Sequence, residues 1–354
     1  MTKLCIALLP GDGIGLEVIP AARKVLEKSA SLHGVQLHFE EFDWGSDYYF
    51  RHGVMMPVDA LERLRRHDSI LLGAVGHPDI PDHITLNGML LPIRRSFDLF
   101  ANVRPAVLYE GVESPLRGYK AGEIDMVVVR ENTEGEYANV GGFLYHHLPE
   151  EVAVQTSVFT RHGCERIIRF AFELARRRNR ARHVTSITKS NAQGYSMVLW
   201  DRVFREVAAD YPDILTGSLL VDAAAMNFVR RPASFDVVVG SNLFGDILSD
   251  LSAIITGSIG LAPSANLDPR RNAPSLFEPV HGSAPDIAGK GVANPLATIL
   301  AASMMMEHLE QSAMAAQMED AVRALLAAGK ALPADLGGSA GTAEVTAAVL
   351  AQLG

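Results

Sequence analysis

Two aspartates four residues apart, in the stretch SNLFGDILSD (241–250), stand out in this chain of 354 residues. If the stretch is helical, that spacing puts Asp246 and Asp250 on one face. Like charges there repel unless a cation neutralises them, and all-oxygen ligation suits Mg²⁺ or Mn²⁺. The plainer reading is a solvated helix face, with Asp246 favoured in the first turn by the helix dipole. A third carboxylate, Asp222, closes the apolar run GSLLVD. Carboxyl ends of strands are where α/β sheets bind ligands, but Asp222 can equally cap a helix over AAAMNFV. Lys189 follows the strand-like HVTSIT in the same way. It reads as an exposed lysine or, held near cations, as a base.

Arginines form a second group. LLPIRRSFDLFANVRP supplies Arg94 and Arg104, and MVVVRENTEGEY puts Arg130 at a strand end. Converging guanidinium forks would select a di- or tricarboxylate; singly, each is a salt-bridge partner. Tyr137 is either a proton donor or a packed loop aromatic. The stretch FEPVHGSAPDIAGKGVANP (277–295) mixes Gly, Pro, His, Asp and Asn with little regular structure. Such a loop exposes backbone N–H and C=O groups and can wrap a nucleotide closely. GDGIG (11–15) invites a dinucleotide-fingerprint reading, yet it lacks the third glycine at the required spacing and an acid ending a second strand. It predicts a tight strand-to-helix turn near a ligand.

Apolar β-rich runs alternate with helical ones along the whole chain. LCIALLP, VQLHFEEFD, SILLGAV, DMVVV, HVTSITK and DVVVGSN read as strands. EVIPAARKVLEKSA, PVDALERLRRH, CERIIRFAFELARRR and YSMVLWDRVFREVAADY read as helices. This order predicts an α/β sheet with crossover connections and strands buried on both faces. Residues 140–160 alternate and predict an antiparallel excursion, SPLRGYKAGEI (114–124) a long loop, and Pro295–His308 a buried core helix too short to span a bilayer. A net charge of −9 argues against a general nucleic-acid binder. Two cysteines, Cys5 and Cys164, make no disulfide framework, so a reducing cytoplasm is expected, and the N-terminus shows no signal-peptide pattern.

Taken together, LLPGDGIGLEV, LLPIRR…NVRP, VVRENTEGEY, TSITKSN, SNLFGDILSD and FEPVHGSAPDIAGKGVANP resemble the metal-dependent β-decarboxylating dehydrogenases of 2-hydroxy acids, which include isocitrate, isopropylmalate, homoisocitrate and tartrate/D-malate dehydrogenases. Within that family the chain looks closest to the tartrate/D-malate branch, through YYFRHGVMMP, GAVGHPDIPDHITLNG, RENTEGEYANVGG, FTRHG and FAFELAR. VDAAAMNFV and FDLFANVRP look more like the isopropylmalate enzymes, and Asn87 stands where those have glutamate and tartrate enzymes often have tryptophan.

The resemblance implies a two-domain α/β fold that is not a Rossmann fold, with the antiparallel excursion at a dimer interface. A discontinuous cofactor domain would span 1–102 and 256–354, and a substrate, metal and dimerisation domain 103–255. It implies a homodimer with shared sites. Asp246 and Asp250 would bind Mn²⁺ or Mg²⁺ in one subunit, with K⁺ as an added cation. Asp222 and the catalytic Lys189 would come from the other. Arg94, Arg104 and Arg130 match the substrate-carboxylate clamp, Asn87 and Leu90 the substrate side-group pocket, and Tyr137 the catalytic tyrosine. His281, Gly282, Ser283, Ala284, Asp286, Ile287 and Asn294 match the NAD adenosine site, with Asp286 specifying NAD over NADP. The implied reaction is oxidation of a 2-hydroxy dicarboxylic acid, D-malate or tartrate, with loss of CO₂. A 3-isopropylmalate dehydrogenase, with Leu90 and Leu91 lining an apolar pocket, is the main alternative. A silent regulatory subunit is disfavoured because Lys189, Tyr137, the three aspartates and the three arginines are all present. The basic run ELARRRNRARH (173–183) is a solvated helix end rather than a nucleic-acid footprint.

Overall fold

The computed structural model describes residues 2–354, and the chain divides into two compact units. Unit 1 takes the residues up to Leu99, then 104–124 and 252–354; unit 2 takes 100–103 and 125–251. The chain begins in unit 1 with β1 (Lys3–Gly11), α1 (Gly15–His33), β2 (Gln36–Glu41), α2 (Ser46–His52), α3 (Ala60–Leu64) and β3 (Ser69–Ala74). After α4 (Asp82–Thr85), a π-helical turn (Leu86–Leu90) and α5 (Leu91–Ser96), β4 (Ala101–Val107) gives its first residues to unit 2 and its last to unit 1. Residues 108–124 hold no helix or strand. Unit 2 continues with β5 (Asp125–Glu131), β6 (Gly135–Leu144), β7 (Val152–Val158), α6 (Arg161–Arg178), β8 (His183–Thr188), α7 (Ser196–Ala208), β9 (Leu215–Leu220), α8 (Val221–Arg230), β10 (Val237–Gly240) and α9 (Asn242–Ile255), whose last turn falls in unit 1. Unit 1 resumes with β11 (Pro263–Leu267), β12 (Ser275–Pro279), α10 (Leu296–His308), α11 (Ser312–Ala328) and α12 (Thr342–Gln352).

In unit 1 the strands run β2-β1-β3-β12-β11, parallel except for β11 against β12. In unit 2, β5-β10-β8-β9 are all parallel, and β6 and β7 form a separate antiparallel pair. The unalternating runs explain the pattern: β3 and β10 are buried at every position, as strands covered on both faces must be. Helix α10 is buried on nearly all sides, which accounts for its lack of a polar stripe. Residues 57–67, expected as one helix, keep only α3 as α-helix. Beyond Leu64 the chain turns so that the buried His67 ring reaches Glu40 (3.1 Å) and the Asp68 carboxylate accepts the Cys5 N–H (2.7 Å). Tertiary partners override helix propensity there.

The basic end of α6 is tied to acids of its own unit: Arg176 to Asp213, Arg178 to Asp125 and Asp236, and Arg180 to Asp125. These pairs cancel charge that a phosphate backbone would need. No helix among the described residues is long and apolar enough to cross a membrane.

Candidate active site

In unit 2 the parallel ends of β5 and β10 set Arg130 opposite Gly240, beside the start of α9. The next helical glycine, Gly245, is there for space: a Cβ on it would lie 2.6 Å from the Arg130 Cβ. Arg130, 1% exposed, donates through Nε (2.9 Å) and Nη2 (2.7 Å) to Asn242 Oδ1, and through Nη1 to Asp246 Oδ1. The Tyr137 hydroxyl donates to the other Asp246 oxygen at 2.8 Å, and the guanidinium lies over the Tyr137 ring at 5.2 Å. Tyr137 is on strand β6, not in a loop. Asp246 sits in the second turn of α9, away from the dipole-favoured first turn, and Asp250 stands exposed one turn on.

The acids of RENTEGEY hold this frame. Glu131, buried and pushed above the usual carboxylate range by that burial, accepts the Thr133 and Glu134 N–H groups (3.0 and 2.9 Å). Glu136 accepts the Ser241 hydroxyl (2.8 Å) and the Leu243 N–H (3.1 Å), placing a carboxylate on the positive end of α9. Asn242 Nδ2 donates to the Glu134 carbonyl at 3.0 Å.

A second constellation closes β8 and β9. Their register pairs Thr188 with Leu220, so Lys189 and Asp222 emerge side by side, and Lys189 Nζ donates to Asp222 Oδ1 at 2.7 Å. That hydrogen bond holds the Asp222 carboxyl below its usual range. Asp222 does not cap α8, which begins at Val221 with Leu220 as its cap; it lies in the first turn. Among the described residues no three His, Cys, Asp or Glu side chains form a metal-holding group.

In unit 1, Arg94 on α5 is 4% exposed and pairs with Glu278 on β12 at 2.8 Å, while its Nε is buried without a hydrogen-bond partner. Asn266 also donates to Glu278, at 2.9 Å. Arg104 is 8% exposed on β4. Asn87, on the π-helical turn, donates its amide to the His83 carbonyl at 2.8 Å, and Leu90 is packed into the core cluster with Met55 and Ile93. π-helical turns recur at functional sites.

The GDGIG turn proves to be a platform for the loop after β12. Asp12, buried, accepts the Ser46 N–H (2.6 Å), the Ser46 hydroxyl (2.7 Å) and the Gly76 N–H (2.7 Å). Gly13 has φ +55° and a Cβ there would fall 2.1 Å from the Ser283 carbonyl oxygen. Gly13→Ala is expected to lose at least about 2 kcal/mol of stability, through strain and the clash together. The urea midpoint measures it, and an unchanged midpoint would contradict the close approach.

Ser283 meets that platform, and Ala284 and Ile287 pack against the buried cluster of Ile14, Val18 and Ala293. His281, Gly282, Asp286 and Asn294 belong to the same loop, with Asn294 Nδ2 donating to Asp335 at 2.9 Å. His281 Nδ1 donates to the Gly282 carbonyl (3.0 Å), and its Nε2 is buried with no hydrogen-bond partner among the described residues. Burial pushes the ring's pKa down, leaving Nε2 a neutral acceptor. Asp286 is exposed; its carbonyl accepts from Lys290 Nζ at 2.6 Å.

A family model for isocitrate/isopropylmalate dehydrogenase matches residues 5–349. The chain belongs to this family. It is 51% identical over 352 residues to a tartrate dehydrogenase/decarboxylase of Pseudomonas putida, covering 97% of this chain and 96% of that one. It is 54% identical over 311 residues to the D-malate dehydrogenase [decarboxylating] of Escherichia coli, covering 87% and 86%. The crystal structure of isocitrate dehydrogenase from Methylococcus capsulatus superposes with a TM-score of 0.89 at 39% identity, over 100% of this chain and 99% of that one. The family resemblance of the sequence motifs and the α/β architecture thus agree.

A hard divalent cation suits carboxylate oxygens such as those of Asp246 and Asp250; here both Asp246 oxygens accept hydrogen bonds, from Arg130 and Tyr137, and Asp222 accepts one from Lys189. A dinucleotide suits the loop, where the orphaned His281 Nε2 offers a buried acceptor. Asn242, Glu278, Glu136 and Asp12 were not singled out in the sequence. For Asn242 a signal existed, since it stands four residues before Asp246 and shares its helix face.

Proposed function

We propose that this chain oxidises and decarboxylates a 2-hydroxy dicarboxylic acid with NAD⁺ and Mn²⁺ or Mg²⁺, taking D-malate to pyruvate and CO₂ and accepting tartrate, as a cytoplasmic homodimer with shared sites. The observation that carries this reading is the joining of Arg130, Tyr137 and Asp246 in one hydrogen-bonded group. A carboxylate-binding cation, a proton donor and a metal-type carboxylate are together there. The named activities of the relatives at about half identity support the substrate class.

Asp246 and Asp250 of one subunit, with Asp222 of the partner subunit, would hold the metal, and unit 1's His281–Asn294 loop the cofactor. When bound, the metal would supply Lewis acidity toward the substrate's oxygens, and NAD⁺ would serve as the hydride acceptor. Arg94, Arg104 and Arg130 bind and orient the carboxylates; the buried, unpartnered Nε of Arg94 is a donor available for that purpose. The partner subunit's Lys189 takes the C2 hydroxyl proton, directly or through water. After CO₂ leaves, Tyr137 delivers a proton to the carbon it left. Asn87 and Leu90 line the substrate's side group.

One kinetic panel tests this. D-malate, the tartrate isomers and 3-isopropylmalate are compared with either dinucleotide, with and without Mn²⁺. D-malate is expected to give the highest kcat/KM or to share it with tartrate. A preference for 3-isopropylmalate of about a hundredfold or more would assign the chain to the other branch.

A further inference from the structure

The loop His281–Asn294 is fastened by groups from both ends of the chain. The Ile14 N–H donates to the Ser283 carbonyl at 2.9 Å. Glu17, on the first turn of α1, accepts the Gly289 N–H at 2.7 Å. From the start of α12, the Thr342 N–H donates to the Gly291 carbonyl (2.8 Å) and its hydroxyl to the Ala293 carbonyl (2.6 Å). Beneath the loop, Ile14, Val18 and Ala293 form a buried cluster against which Ala284, Ile287 and Ala288 pack. Ala284 is held at φ +41°, a left-handed conformation that a residue with a side chain keeps only when its surroundings impose it.

Two carboxylates fasten the loop: Asp335 accepts from Asn294 Nδ2 at its far end (2.9 Å), and Glu17 acts at Gly289, just past Asp286 and Ile287. We propose that Glu17 is a positioning residue for the adenosine half of a dinucleotide. Its carboxylate fixes the turn over 284–289, through the Gly289 N–H, in the shape that presents Asp286 to a ribose. This rests on the cofactor-loop reading given under Proposed function. Glu17 touches no reacting atom; it acts by ordering the loop before the ligand arrives, so that binding does not have to order it.

The test uses the whole protein. Binding of NAD⁺ and of ADP-ribose is measured by calorimetry in Glu17→Ala, Glu17→Gln and Asp286→Ala, with steady-state kinetics and amide exchange at residues 284–291 in parallel. Glu17→Ala is expected to weaken both ligands about tenfold and to raise KM for NAD⁺ alike, as loss of one charge-assisted hydrogen bond would do. It should leave kcat at saturating NAD⁺ and KM for the hydroxy acid within about twofold, and speed exchange at Gly289. Glu17→Gln, whose amide oxygen still accepts, should restore most of the affinity. Unchanged ADP-ribose binding in Glu17→Ala, or an equal loss in kcat and both KM values, overturns the inference. Should Glu17→Ala not fold, Glu17→Asp, one methylene short of Gly289, carries the same expectation. If Asp286→Ala also binds ADP-ribose normally, the cofactor-loop reading itself is wrong; if only Asp286→Ala binds poorly, the positioning role alone fails.

Discussion

Pure Lys189→Ala and pure Asp246→Asn proteins are each expected to lose turnover by about two to four orders of magnitude, the range that a positioned proton acceptor or a metal-type carboxylate controls. Co-refolded in equal amounts, they are expected to regain about a quarter of wild-type activity. Random pairing makes about half the dimers mixed, and in each mixed dimer one site combines two intact halves while the other combines two damaged ones. The expectation rests on the family resemblance, in which Asp222 and Lys189 match residues contributed by the partner subunit. Lys189 is bonded to Asp222, whereas Asp246 is bonded to Arg130 and Tyr137. Neither group alone supplies base, acid and three carboxylates. Subunit exchange followed by activity and native mass measurements checks this. Mixed dimers that form and stay inactive would mean that each chain holds its own complete site.

The second large effect concerns cofactor choice. Wild type is expected to prefer NAD⁺ over NADP⁺ by about a hundredfold or more in kcat/KM, because Asp286 accepts from ribose hydroxyls and repels a 2′-phosphate carrying nearly two charges. The double variant Asp286→Lys/Ile287→Tyr is expected to lose that preference and to move toward NADP⁺. The exposed position of Asp286 lets its carboxylate face a ligand, while its backbone carbonyl is occupied by Lys290 of the same loop. Equal use of both dinucleotides by wild type would dispose of the idea, as would an unaltered preference in the double variant.

What the sequence made legible was local. The apolar runs of β3 and β10 announced buried parallel strands, and the four-residue step from Asp246 to Asp250 announced one helix face. Contacts between distant residues were not legible. Nothing near Arg94 points to Glu278, 184 residues away, and nothing near Lys189 shows that the β8–β9 register will set Asp222 beside it. Asp222 looked like a helix cap because a helix start read from propensity is uncertain by roughly one or two residues, and α8 begins two residues earlier than AAAMNFV suggested. The breakup of residues 57–67 into the short α3 depends on Glu40 and Cys5, which only the folded sheet brings near. GDGIG announced a tight strand-to-helix turn, but not that the distant Ser283 carbonyl would lie against Gly13.

The fastening of one loop by both chain ends also bears on the order in which the protein can be made. Glu17 and Thr342, which grip the loop from its two sides, are separated by 325 residues, and the Ser69 hydroxyl reaches the Ser275 carbonyl across 206. Unit 2 is nearly continuous in sequence and needs nothing beyond residue 251 to complete its parallel strands. Unit 1 starts at the ribosome first and closes last. β1, β2 and β3 can pair among themselves, but the second edge of β3 waits for β12 and the loop waits for α12, so the contacts of highest sequence separation are also the latest to become available. A chain that stops short of residue 342 has every motif from GDGIG to the second aspartate of α9 and still cannot make the two hydrogen bonds that hold Gly291 and Ala293.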